Sequence, residues 1–161
     1  MALNAESKIV NLERSLFRLV YDTLEVGKSL AGLISYDDDL FDTTGKDKWV
    51  RVTMLDVGTR RGSFQQCQIT CATRVLDTDS QGLTLKQLVD DVRDALNVNS
   101  FTMYDYSVDV DNPSIVYDDS GSAVLVALRL IGPNVQQPIV EGARAQILTY
   151  GIWLWRDDMV Q

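Results

Sequence analysis

The sequence predicts an α+β fold: a mainly antiparallel sheet of long hairpin strands with two helices packed on one face, in a single domain over residues 1–161. Three observations lead there. Two stretches repeat apolar residues at three- and four-residue intervals, the period of one helix face. Between them, two long runs flank a short basic turn and alternate apolar with polar residues, the period of a strand with one buried side. A last alternating run, Ala143 to Arg156, completes the order helix, hairpin, helix, strands.

Ile9, Leu12, Leu16, Leu19, Val20 and Leu24 form one stripe, so Asn4 to about Leu24 is expected as an amphipathic helix with Glu13, Arg14 and Arg18 on its wet side. From Glu25 to Lys48 the periodicity gives way to Gly27, Gly32, the acidic run Asp37, Asp38, Asp39, and Gly45, which is loop chemistry with room for a short strand at Leu33 to Tyr36. The first helix is expected to end near Gly27, in a left-handed residue. Trp49 to Asp56 sets Val50, Val52 and Met54 against Arg51 and Thr53. Phe64 to Leu76 sets Cys67, Ile69, Cys71 and Val75 against Gln66, Gln68, Thr70 and Arg74. These two strands pair antiparallel across a turn containing Gly58, Arg60, Arg61 and Gly62.

Thr84 with Gln87 has the spacing of a capping box, and Leu85, Leu88, Val89, Val92 and Leu96 make the stripe of a second helix, Thr84 to Leu96. Phe101 to Val110 and Ser114 to Tyr117 read as extended, with a turn at Asp118 to Gly121. Ala123 to Ile131 is apolar on both faces and is expected at the centre of the sheet. Gly132 to Gly142 contains Pro133 and Pro138. At a length beyond the usual two to five residues of a hairpin loop, it reads either as a surface loop or as an arm protruding over 132–142 towards a neighbour.

With 45% hydrophobic residues the chain has the means to bury one core. Its formal charge of −8 repels a phosphate backbone and argues against gripping nucleic acid. No apolar run approaches the roughly 20 residues needed to span a bilayer, and Met1 to Lys8 lacks the pattern of a secretory signal, so no membrane partner is expected. Cys67 and Cys71 would stand about 13 Å apart on a strand, too far for a disulfide, and are expected as small buried side chains.

The search for chemistry yields little. Gly27, Lys28, Ser29 imitate the end of a phosphate-binding loop, but Asp22 stands where its first glycine belongs. Asp77, Asp79, Gln81 and Gly82 imitate half a calcium loop, but Leu88 stands where a bidentate glutamate is needed, and the aspartates better suit the positive end of the following helix. Asp105, Asp109 and Asp111 offer carboxylates for a metal-dependent enzyme, the alternative from a different class, although a solvated strand face explains them as well. The chain has no histidine, which removes the commonest general base. The expectation is a protein that is not an enzyme and needs no cofactor or metal.

Length points elsewhere. Phe64 to Leu76 and Ala143 to Arg156 would span about 43 Å or more at roughly 3.3 Å per residue, against about 17 to 20 Å for a typical strand. Unless bulges break them, such strands overrun the core and need cover from a neighbour, so a homo-oligomeric ring is expected. A module that recruits a partner by strand addition would use the same edge without a ring.

The helix Asn4 to Leu24, the hairpin Trp49 to Leu76, the helix Thr84 to Leu96 and the closing strands through LTYGIWLWRDD at Leu148 to Asp158 together resemble the tail terminator proteins of long, non-contractile-tailed bacteriophages, the siphoviruses. The resemblance implies a tail-terminator-like virion protein made late and assembled in the host cytoplasm. Six copies would form a ring on the head-proximal end of the finished tail tube, stop its polymerisation and join it to the head. Its partners would be itself, the tail tube protein and a head-completion or connector protein, with DNA only passing through the channel. No catalytic residue is implied. Interface candidates are the hairpin tip Arg60, Arg61 and Gly62, and the arm residues Val135, Gln137, Pro138, Ile139 and Val140. Asp37, Asp38 and Asp39 are candidates to face the channel or a partner. Another head-to-tail or tail-completion role is the nearest alternative.

Overall fold

The computed structural model describes residues 5–38, 40–55 and 64–154. Helix α1, Ala5–Val20, runs straight into a π-helical stretch, Tyr21–Val26. Strand β1, Ile34–Tyr36, lies parallel to β2, Lys48–Leu55, which pairs antiparallel with β3, Phe64–Arg74. Helix α2 covers Leu83–Ala95, and three short strands follow: β4, Ser100–Thr102, β5, Tyr104–Asp105, and β6, Ser114–Ile115. The chain closes with β7, Leu125–Val140, and β8, Ala143–Leu154. The main sheet has the order β1-β2-β3-β8-β7-β4, and β5 and β6 pair separately. The architecture is α+β, with a mostly antiparallel sheet.

Strand alternation builds the core. Val50 and Val52 of β2, Cys67, Ile69 and Cys71 of β3, and Leu148, Tyr150 and Ile152 of β8 are buried in one cluster with Leu12, Leu16 and Val20 of α1 and Leu85, Leu88, Val89 and Val92 of α2. The intervening Arg51, Thr53, Gln66, Gln68, Thr70 and Thr149 keep access to solvent. The two cysteines are free and buried, and burial pushes both thiols up to about 12.

Several expectations need correction. Residues 132–142 are not a loop: β7 continues through 132–140 and turns into β8 at Glu141 and Gly142, whose φ values of 50° and 72° are those of a two-residue hairpin turn. Val135, Gln137 and Val140 are ladder positions facing Ile147, Ala145 and Ala143. Pro133 and Pro138 misled the sequence reading because each sits in a register shift, between Ile131 and Val135 and between Gln137 and Val140, where a missing N–H donor costs the ladder little.

The strand at 123–131 is not central. From Leu125 on it belongs to β7, next to the edge strand β4, and β3 and β8 hold the middle, β8 pairing with β3 from Phe64 to Arg74 and with β7 on its other side. The apolar character of both its faces ends in exposed Leu125 and Leu130. The α2 capping box does not form either. Gly82 occupies the N-cap, and the Asp79 carboxylate accepts from Leu83 N–H at 2.8 Å and Thr84 N–H at 3.2 Å. Gly27 is right-handed at φ −67°, and Ser29 takes the left-handed turn at φ 57°. A Cβ at Gly27 would lie 2.4 Å from the Thr23 carbonyl oxygen, so glycine is required there for space.

Candidate assembly interface

Two surfaces stand out, an open strand edge and a groove. The edge belongs to β7. Strand β4 covers β7 only at Leu125, Val126 and Ala127, and one further bond runs from Leu128 N–H to the Asn99 carbonyl at 3.1 Å. Backbone groups of alternate residues point to the same side of a strand. The Leu128 N–H points towards β4, so the N–H and C=O of Leu130 face the same, now vacant, side. Among the described residues no strand pairs with this side of β7 from Arg129 to Val140.

Beside this edge a cleft of about 600 Å³ opens between the end of α2 and β7, lined by apolar Leu96, Val98, Leu130 and Tyr150 and by a larger polar set that includes Asp90, Arg93, Asp94 and Arg129. Leu130 lies on the same face of β7 as core residues Val126 and Leu128, yet it is 38% exposed, so the apolar face runs past the core that covers it. Ile139, at 57% exposed, carries the pattern to the far end of the strand. The two register shifts twist the strand, one of the means by which natural edges resist indiscriminate pairing.

The groove, of about 560 Å³, runs between α1 and the segment that follows β5. Asn11 and Ser15, one helical turn apart and both buried, fix that segment. Ser15 Oγ accepts from Tyr104 N–H at 2.9 Å and Asn11 Oδ1 accepts from Tyr106 N–H at 2.9 Å. Arg18 then stacks on Tyr104 at 4.3 Å and Arg14 on Tyr106 at 5.8 Å, so two arginines assigned to the wet side of the helix serve as cation–π partners. Phe17 packs on Tyr36 at 5.4 Å, and Tyr36 donates its hydroxyl to Glu25 at 2.7 Å, a contact that, with burial, raises its pKa.

Charges of both signs line this groove: the carboxylates of Glu13, Asp22 and Asp111 and the guanidinium groups of Arg14 and Arg18. Burial pushes the Glu13 carboxyl above its ordinary value, repulsion from Asp37 adds to that, and Arg14 offsets part of it. No described lysine or arginine lies within 4.0 Å of the Glu13 carboxylate.

The interface candidates scatter over this surface. Asp37, at φ 53°, pairs with Arg51 at 3.6 Å and lies near enough to Glu13 to repel its carboxylate, and Asp38 accepts from Leu40 N–H at 2.9 Å. Asp39 and the tip Arg60, Arg61, Gly62 lie outside the described residues. Gln137, Pro138 and Ile139 lie on β7 near the hairpin end, with Val135 and Val140 in the same strand. The aspartates of the metal reading do not converge. Asp105 accepts from Ser107 and Asn11, and Asp109 caps Asp111 N–H at 2.9 Å and Asn112 N–H at 3.1 Å. Among the described residues no group of three or more histidine, cysteine, aspartate or glutamate side chains is arranged to hold a metal ion. Sequence reasoning missed the groove because its aromatics, Phe17, Tyr36 and Tyr106, come from three distant segments.

No protein-family model matches the chain, and no curated protein matches it either. A solved structure that carries no functional name is similar in fold at 10% identity, with a TM-score of 0.51 over 89% of this chain and 95% of that one. The likeness shows a shared α+β architecture.

Proposed function

We propose that this chain is a structural phage protein: copies close into a ring, in the manner of a tail terminator, which sits on the end of the completed tail tube, stops its growth and presents a surface for joining the head. The observation that carries the assembly half of this reading is the side of β7 from Arg129 to Val140 that no described strand covers, next to partly exposed Leu130. An unpaired strand edge next to exposed apolar side chains is a template for another chain, and identical neighbours are the usual cover. The tail half rests on the resemblance in element order and size. The net charge of −8 suits a passage through which DNA slides without sticking.

Adding the purified protein to tail tubes during polymerisation tests the role. A terminator fixes their length and decorates one end of each. Tubes that keep growing with bare ends would refute it, and attachment to completed tails without any effect on length would favour another head-to-tail or tail-completion role.

A further inference from the structure

Residues 106–113 form a strap along the flank of α1, and little holds it there. None of them is buried and none belongs to the core cluster, while Val108 at 86% and Val110 at 55% exposed stand in solvent. Its attachment to α1 is a latch at one residue: Asn11 accepts from Tyr106 N–H, and Arg14 lies over the Tyr106 ring. Segments with few buried apolar contacts open at a free energy well below that of global unfolding. The strap is braced from within instead. Asp105 accepts from Ser107 N–H, and Asp109 accepts from the N–H groups of Asp111 and Asn112, so this backbone is tied to itself. Both ends are anchored to the body. Ser15 holds Tyr104 N–H with Arg18 over the Tyr104 ring, and beyond Pro113 the Val116 N–H donates to the Met103 carbonyl at 3.0 Å.

We propose that residues 106–113 swing as one body about these two ends, and that this motion widens and narrows the groove beside α1. Tyr106, Val110, Asp111 and Pro113 line the groove from the strap, opposite Phe17 of α1 and Tyr36 of β1, so a displaced strap changes its width. Lifting gives up the Asn11 bond to Tyr106 and the Arg14 ring contact, and it takes no side chain out of the core. Hinged closures in general turn on a few residues at the ends of elements, as Asp105 and Ser114 are here. The motion belongs to a single subunit, so it goes beyond the ring reading and holds with or without it.

Native-state hydrogen exchange and a pair of spin labels test the motion. In the wild type, Tyr106 N–H is expected to exchange at least about a hundredfold faster than Ile69 N–H in the middle of the sheet, and with little dependence on low concentrations of urea. Arg14→Gln removes the ring contact and leaves Asn11 in place. It is expected to speed Tyr106 about two- to fivefold more, with Tyr104 and Ile69 unchanged. A Tyr106 that shares the rate and urea dependence of Ile69 would overturn the proposal, as would a variant that speeds all three amides alike. Cys67 and Cys71 are buried with raised thiols, so Val108→Cys with Asp22→Cys, both at exposed positions, takes one label at each introduced cysteine. Their distances are expected to fall into two populations. A single distribution as narrow as that of a control pair on the two helical layers, Asp22→Cys with Lys86→Cys, would also overturn it. Each of these outcomes leaves ring formation untouched.

Discussion

Asp79 shows how one side chain sets an element. Its carboxylate takes the first free N–H groups of α2, from Leu83 and Thr84, while Arg144 holds the same turn through the carbonyls of Asp79 and Ser80. Partial burial pushes the Asp79 pKa up, but the hydrogen bonds from Thr84 and Leu83 and the nearby Arg144 charge outweigh it and hold the carboxyl below its ordinary value. A depressed folded-state pKa stabilises above the unfolded value, near 3.9 for aspartate, and that stabilisation is lost as pH falls through the folded value. Asp79→Ala is expected to lower Tm by roughly 2 to 4 °C at pH 7, with the difference fading below about pH 4. A thermal melt series across pH checks both the size and the fading. The sequence signalled an anion at this helix end but pointed to Thr84 and Gln87 for the cap, because the capping box is a spacing rule and Asp79 reaches in from outside the helix.

At the scale of elements, the β7–β8 hairpin teaches most. Alternation from Ala143 onward announced β8, and the same rule found β2 and β3 almost to the residue. It failed on β7, since two prolines and a glycine of positive φ look like a loop until register shifts are admitted. The turn itself holds a conflict: Glu141 adopts φ 50°, a conformation in which a long side chain is strained and asparagine is at home. Glu141→Asn creates the Asn-Gly pair preferred in such turns and is expected to stabilise the subunit by about 0.5 to 1 kcal/mol. Gly142→Ala, at φ 72° with open space around it, is expected to cost about 1 kcal/mol or more through backbone strain alone. Denaturant titrations of both variants measure the two signs.

For the whole molecule, the element order, the antiparallel hairpins and both helices were legible in the sequence because each obeys a local period. Strand order was not, because nothing local distinguishes β8 as the centre from β7 with its half-covered side. The groove escaped for the same reason, as it exists only where α1, Tyr36 and Tyr106 meet. The proposed ring follows from what the subunit leaves uncovered. Leu130→Lys, where the core face of β7 emerges at the cleft, is expected to weaken self-association at least tenfold in sedimentation velocity, with circular dichroism checking that the subunit still folds. The most direct test is electron microscopy of the purified protein at micromolar concentration, with and without tail tubes. Closed annuli of uniform diameter with a central hole, free or seated on tube ends, are the predicted result; solitary subunits under both conditions would contradict it.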